Sequence, residues 1–358
     1  MLRYLINKVT YGFLTLFGVV TIVFLLFTVL PGDPARMMLD QKEDPAQLAL
    51  IRKNLGLDQP VWKQYLYYLN DLSPVSIHSK TNDSYTSLKS GKYNGLKLFS
   101  GKDLTILLKY PYLRISFQKQ GKTVSDIISE TLPNTMVLAI SAIIFAIIIG
   151  ILLGIWSALS KDSWIDRTLL VLTSFGMSTP SFFSAIIIAY IFAFLLHHIT
   201  GFSMTGSLYE IDDMGFGKHL TIKNLILPAL TLGIRPLAVI TQLTRNSLLE
   251  TLSQDYIRTA YAKGLKPARV IWKHALKNSL NPVITATSGW FASMLAGAVF
   301  VEFIFGWNGL GKEIVNALNS LDLPVVMGAV LVIATTFICI NILVDVIYGV
   351  LDPKVRLN

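Results

Sequence analysis

The sequence predicts an all-α membrane protein: six transmembrane helices with a large external loop after the first. Three observations carry that prediction. Only 15% of the 358 residues are charged and 53% are hydrophobic, against roughly 25% charged in an ordinary soluble domain. Six runs are apolar and long enough to cross a bilayer, which takes about 20 helical residues each. The Lys and Arg residues of the short loops gather on one side of these crossings, the bias that orients a polytopic protein. Each crossing must be a helix, because an open sheet edge leaves backbone groups unsatisfied in lipid. The composition excludes a soluble enzyme, and the single Cys339 excludes an intrachain disulfide or a Cys-based zinc cluster.

Residues 9–30 form the first run, following Arg3 and Lys8. The run exceeds the roughly 7 to 15 residues of a signal-peptide core and is followed by Pro31-Gly32-Asp33-Pro34 instead of a small-x-small cleavage site, so it reads as a permanent span. Residues 136–159 and 168–196 come next, a helical hairpin joined by a connection carrying Lys161, Asp162, Asp166 and Arg167. Residues 225–249 make the fourth span despite Arg235 and Arg245, and residues 282–301 and 325–344 the fifth and sixth. Gly150-x-x-x-Gly154 permits close helix approach within the second. With the N-terminus inside, the cytoplasmic segments hold twelve Lys and Arg, six of them between Arg258 and Lys277, and the short external loops only Lys218, Lys223 and Lys312. Both termini are therefore expected in the cytoplasm.

The expected organisation is an N-terminal segment with helix 1 (1–30), an external region (31–133), a five-helix core (134–349) and a cytoplasmic tail (350–358). In the external region, residues 44–72 show apolar residues at helical intervals and predict one or two amphipathic helices over the membrane face. Residues 73–122, rich in Ser, Lys, Gly, Asn and Tyr, read as an inserted elaboration with one apolar stretch at 104–110.

Catalytic chemistry is sparse. Gly121-Lys122-Thr123 resembles the end of a phosphate loop, but the glycine needed five residues earlier is Ser116. Adjacent His197 and His198 diverge on a helix and read as a span-end cap, not a chelate. Asp345 reads as a helix contact at the cytoplasmic end, since no ladder of acids accompanies it. No metal, cofactor or nucleic-acid site is expected.

One loop stands out. Residues 253–281 read SQDYIRTAYAKGLKPARVIWKHALKNSLN, neither apolar enough to insert nor disordered in composition. Residues 255–263 predict a short helix, Gly264 a left-handed stop, and Pro267 the first turn of a second helix. Helical spacing puts Leu265, Ala268, Trp272, Ala275, Leu276 and Ser279 on one stripe, beside a basic stripe of Lys266, Arg269, Lys273 and Lys277. Physics alone leaves two occupants on equal terms: anionic headgroups, or a cleft on a cytoplasmic protein reached by a shallow turn of Ala260, Ala262 and Gly264.

This loop resembles the EAA loop of ATP-binding-cassette (ABC) importer permeases, in its dipeptide and oligopeptide form. Arg258-Thr259-Ala260-x-x-x-Gly264 occupies the EAA-x-x-x-G slot, and His274-Ala275-Leu276-Lys277-Asn278 follows. The similarity extends to Pro31-Gly32-Asp33-Pro34, Leu227-Pro228-Ala229-Leu230, Leu243-Thr244-Arg245, Glu302 before Gly309-Leu310-Gly311, and Asp345 with Asp352-Pro353-Lys354. It spans essentially the whole chain except about residues 73–112. Arg258 replaces the glutamate that names the loop, and Lys277 stands where many sugar permeases carry proline; both departures are typical of the peptide branch. Arg235-Pro236 and the longer external loop bear on substrate identity, not class.

The resemblance implies a type I importer permease fold and a multi-pass protein of a bacterial inner membrane. Its implied partners are a second homologous permease, two ATPase subunits that use the ATP, an external binding protein and the lipid bilayer. The coupling loop would be Arg258, Thr259, Ala260, Lys263, Gly264, Leu265, Arg269, Trp272 and His274, with Ala260, Gly264, Leu265 and Trp272 docking and Arg258, Lys263 and Arg269 supplying charge. Arg235 is a candidate for meeting a peptide carboxylate along the path, against pairing with an acid such as Glu302 or snorkelling outward. A permease for nickel or peptide-like antibiotics is the alternative within the family. A secondary transporter is the rival class, although no internal repeat supports it.

Overall fold

In the computed structural model the described residues are 2–29, 34–37, 45–81, 84–211 and 217–351. Asp33, Asp352, Pro353, Lys354 and Arg356, and the Asp345 side chain, lie outside that description. The chain opens with α1 (Leu2–Val29), α2 (Pro34–Met37), α3 (Pro45–Leu55) and α4 (Val61–Leu72). Strands β1 (Val75–Ser79), β2 (Gly95–Ser100) and β3 (Leu104–Lys109) precede α5 (Val124–Leu159) and α6 (Trp164–Ser178). Then come α7 (Ser181–Ile188), a π-helical stretch (Ala189–Leu195), α8 (His197–Thr200) and the strands β4 (Tyr209–Ile211) and β5 (Lys218–Leu220). Helix α9 (Lys223–Leu252) leads through α10 (Asp255–Ala262), α11 (Pro267–Arg269), a second π-helical stretch (Val270–Ala275) and α12 (Leu276–Ser279). The chain ends with α13 (Asn281–Ile304), α14 (Leu310–Asn319) and α15 (Leu323–Leu351).

Among the described residues five helices are long and apolar enough to cross a membrane alone, within α1, α5, α9, α13 and α15. A sixth candidate is apolar enough only as a pair, Trp164–Ser178 and Ser181–Leu195, bent by 112° as in a broken span or a re-entrant loop. This corrects the single span expected over 168–196. Pro180 has no N–H to continue the ladder and forces the preceding residue out of the helical region; Thr179 is extended, at φ −75° and ψ 133°. Helix α5 starts nine residues before the expected end of the external region, with Pro133 inside it.

The chain divides into two compact units. One comprises Met1–Leu5, Thr131–Glu313 and Thr336–Asn358. Its core packs Leu138 and Ala142 of α5 against Ala185 of α7, Leu232 of α9, and Met294 and Ala298 of α13. Helices α5 and α9 touch through a glycine: a Cβ on Gly154 would lie 2.5 Å from Cβ of Thr244 and 2.7 Å from the Thr241 carbonyl, leaving no room for a side chain.

The other unit comprises Ile6–Glu130 and Ile314–Thr335. Val20, Val23 and Phe24 of α1 pack with Tyr68 of α4 and with Met327 and Leu331 of α15, and Thr21 bonds the Tyr65 hydroxyl at 2.7 Å. The three strands form an antiparallel sheet in the order β1-β3-β2, and the apolar stretch expected at 104–110 is its central strand. Its polarity is largely reversed. Ser76, His78, Thr105 and Lys109 face inward and are buried beside Leu107, whereas Val75, Ile77, Leu104, Leu108, Leu96 and Phe99 are exposed. The buried face closes on Asp71, fully enclosed, which accepts hydrogen bonds from Tyr85 and Tyr93 hydroxyls, both at 2.8 Å, and from Arg114 Nε at 3.1 Å. Burial first, and then the Asp71 charge, push the Tyr93 hydroxyl far above its ordinary range.

Candidate functional site

The residues after α9 build a short, stiff bracket. Gly264 sits at φ +75°, a conformation that costs an L-residue roughly 1–2 kcal/mol. Its N–H bonds the Tyr261 carbonyl at 2.9 Å, ending α10. Lys266 is extended, and Pro267 occupies the first turn of α11, where its missing N–H costs nothing. Ile257, Ala260, Val270, Ala275 and Leu276 are buried together with Leu248 of α9 and with Ile155 and Ala158 of α5. Asn278 donates to the Tyr256 hydroxyl at 3.0 Å, tying α12 back to α10. The bracket is thus fastened to two long helices by its apolar side.

Arg258, Thr259, Lys263, Gly264, Arg269 and Trp272 are exposed, and Leu265 and His274 are half-buried. A Cβ added to Gly264 would meet nothing within 4 Å, so the turn is open outward. Ala260 is the exception among the expected docking residues: at 7% exposure it belongs to the internal cluster. The apolar stripe expected on the second helix is also redrawn. Trp272 (59% exposed) and Ala268 face outward, while Val270 packs inside. The cause is the π-helical stretch, where the wider turn rotates each following side chain relative to an α-helical register. Arg258 lies 3.5 Å from Asp255 with both side chains in solvent, a contact of little energetic weight.

A second constellation received no site role from sequence. Arg245 donates through Nε and Nη2 to the two carboxylate oxygens of Asp166, each at 2.7 Å. Asp166 also accepts from Ser157 Oγ, and from the Asp162 N–H at 3.0 Å. Three helices, α5, α6 and α9, meet at one carboxylate. Two signals point to it: Ser163-x-x-Asp166 is a helix-start pattern, and an arginine inside an apolar run requires a partner.

The two pathway candidates do not come together. Arg235 is exposed and its one hydrogen bond among the described residues is a long one, 3.5 Å to the Met177 carbonyl. Glu302 is fully buried and accepts from the Gly311 N–H at 2.7 Å and the Lys312 N–H at 3.1 Å, capping the start of α14. A Cβ on Gly309 would stand 2.4 Å from the Glu302 carboxylate. The Arg235–Glu302 pairing is therefore not formed; α14 supplies the glutamate's partners instead. His197 Nδ1 contacts the Phe202 carbonyl at 2.7 Å.

Apolar crossings, a broken helix and a bracket fastened to two of the crossings define a membrane transport subunit. Residues 150–357 match the family described as binding-protein-dependent transport system inner membrane component, and residues 1–84 match the corresponding N-terminal family. The chain belongs to that family and is a permease of the ABC importer class. It is 35% identical to the dipeptide transport system permease protein DppB of Alkalihalophilus pseudofirmus, over 99% of this chain and 100% of that one. It is 33% identical to the di/tripeptide transport system permease protein DppB of Pseudomonas aeruginosa, over 99% of each. The glutathione transport system permease protein GsiC of Escherichia coli is 31% identical over 99% of each. Among solved structures, an inward-facing form of the MetNI methionine ABC transporter aligns with a TM-score of 0.48 at 17% identity, covering 63% of this chain and 96% of that one.

Proposed function

We propose that this chain and a second, homologous permease line a path for short peptides, with both termini in the cytoplasm and residues 31–123 outside. ATP is hydrolysed by two partner subunits, and an external binding protein delivers the peptide. The full-length relatives named for dipeptides, di/tripeptides and glutathione support the peptide reading. The observation that carries the coupling role is the bracket at 255–279: its inner face is packed into α5 and α9, and its outer turn at Gly264 is open. A segment transmits a rigid-body movement only if its own packing does not yield. Trp272 and Leu265 supply the apolar contact, and Arg258, Lys263 and Arg269 supply charge to an acidic rim.

Gly264→Leu tests this, since it combines backbone strain with bulk at the contact. In proteoliposomes carrying the complete importer, the variant is expected to keep its ATPases bound or lose some of them, and in either case to hydrolyse ATP without moving peptide. Normal peptide uptake by this variant would refute the docking role. Orientation is checked with Lys263→Cys in a Cys339→Ser background: a membrane-impermeant thiol reagent should label it only after the cells are opened.

Arg235 is proposed as the carboxylate contact of the path, because its remaining donors are uncommitted among the described residues. Arg235→Gln should lower uptake of peptides with a free C-terminus and spare their amides. Equal loss for both would dismiss the carboxylate role.

A further inference from the structure

Between α1 and α5, the second unit holds a cleft of about 800 Å³, within the roughly 300–1,000 Å³ typical of small-molecule sites. Four cations line it, Lys53, Lys89, Lys92 and Arg114, and among the described residues no Asp or Glu does. Asp71 lies behind the wall, its carboxylate taken by Tyr85, Tyr93 and Arg114 Nε. The rest of the wall mixes apolar Leu50, Leu55, Leu57 and Ile115 and the Tyr85 and Tyr112 rings with the polar Asn54, Ser84 and Ser87.

Arg114 is held unusually. Its backbone is at φ +70°, a conformation that costs a non-glycine residue about 1–3 kcal/mol and persists where the surroundings enforce it. The guanidinium lies 5.3 Å from the Tyr68 ring centroid and 5.8 Å from that of Tyr85. Nε is committed to Asp71, whereas neither Nη atom has a hydrogen-bond partner among the described residues. Lys92 Nζ converges on the same Tyr85 ring at 4.6 Å. Burial holds the Lys92 ammonium below its ordinary pKa; Asp71 opposes that shift and Arg114 adds to it. Lys92 Nζ also donates to the Asn54 carbonyl at 3.0 Å, so the Nη groups of Arg114 are the fixed, partly dehydrated donors here, and among the described residues no carboxylate lines the space they face, the electrostatics of an anion site. The leucines, Ile115 and Phe117 on the lining suit an anion with an apolar body better than one hydrated on every side, such as free phosphate.

We propose that this cleft binds a small carboxylate-bearing molecule with an apolar body, the chemistry of the last residue of a short peptide. The identification of the ligand as peptide rests on the transport reading above; the need for one carboxylate and an apolar body rests on the cleft alone. A planar carboxylate fits the two Nη donors of Arg114 side by side, and Lys89 and Lys92 add charge at the rim.

The test uses the full chain in nanodiscs, without ATPases or binding protein, titrated calorimetrically with the tripeptide Ala-Ala-Leu, its C-terminal amide, and hexanoate. The free acid should bind, and the amide should bind about tenfold more weakly or worse, as expected for loss of a charge-assisted contact. The double variant Lys89→Gln/Lys92→Gln should bring the acid down towards the amide, and Leu50→Trp, which fills the cleft from α3, should weaken both. Indistinguishable acid and amide, acid binding untouched by both variants, or no binding of the acid would each overturn the proposal. Binding of hexanoate without the tripeptide would overturn the peptide assignment. A Lys89-dependent contact with the importer's binding protein, in a chain that ignores the tripeptide, would replace the small ligand with a protein surface. Uptake by the complete importer separates the two readings. Binding without uptake fails the transport reading alone, and uptake without binding fails the cleft alone.

Discussion

Asp166 carries more of this structure than its place in a short charged connection suggests. Its carboxylate joins three helices, and Arg245 is largely withdrawn from solvent, with its side chain 15% exposed. Removing one member of a buried pair strands the other, at a cost of about 3–5 kcal/mol. Asp166→Asn is therefore expected to lower the thermal unfolding midpoint in nanodiscs markedly, and the double change Asp166→Leu/Arg245→Met to recover part of the loss. An unchanged midpoint in the single variant would show that the pair is not structural. Ala260 and Glu302 teach a related lesson. Sequence placed both in motifs, but a motif position does not reveal which way a side chain faces. Ala260 turns inward, and Glu302 is consumed by the backbone of α14. Gly264 and Pro267 were fully legible, because a left-handed turn and a helix first turn select residue type locally.

At the level of elements, five of the six crossings follow from apolar run length. The sixth departs because Pro180 interrupts a run that hydropathy counts as continuous. The π-helical stretch at Val270–Ala275 was not legible, since periodicity read at 3.6 residues per turn cannot register a wider turn; the stripe drawn at that period splits, with Ala268 and Trp272 outward, Ala275, Leu276 and Ser279 inward, and Val270, which the stripe left out, buried. The small sheet escaped for another reason: its central strand buries Thr105 and Lys109 beside Leu107, so burial does not follow an alternation of apolar and polar residues that a sequence reading could find. One of its inward residues is a poor fit. Thr105 is buried and its Oγ1 has no hydrogen-bond partner among the described residues. Thr105→Val keeps the β-branched shape and is expected to stabilise the sheet by about 1 kcal/mol, seen as a higher denaturant midpoint. A decrease would mean that the hydroxyl is satisfied in the protein. Helix α10 supplies the opposite case. Ile257→Ala should cost about 2–4 kcal/mol of local packing and loosen the bracket, so that ATP turnover continues while peptide uptake per ATP falls; unaltered coupling would argue against rigidity as the transmitting property.

For the molecule as a whole, the segment between α1 and α5 is expected to lose stability in acid. His78 is enclosed between Ser76 Oγ at 2.8 Å and the Thr86 carbonyl at 3.2 Å. Burial holds its pKa below the ordinary 6.5, against a smaller upward pull from the Thr86 hydrogen bond. The unfolded chain takes up a proton near pH 6.5 and the folded one only at lower pH. The stability contributed by neutral His78 is therefore present above about pH 6.5 and drains away as the pH falls through the folded value. Protease protection of residues 75–123 should weaken between pH 7 and about 5, and constant protection across that window would exclude His78 as the cause. The reversed sheet leaves one further mark. Saturation mutagenesis scored on folding alone would yield a map upside down with respect to hydropathy at all but Leu107: serine or lysine in place of Ile77 or Leu108 would pass unnoticed, and leucine in place of Ser76 would not.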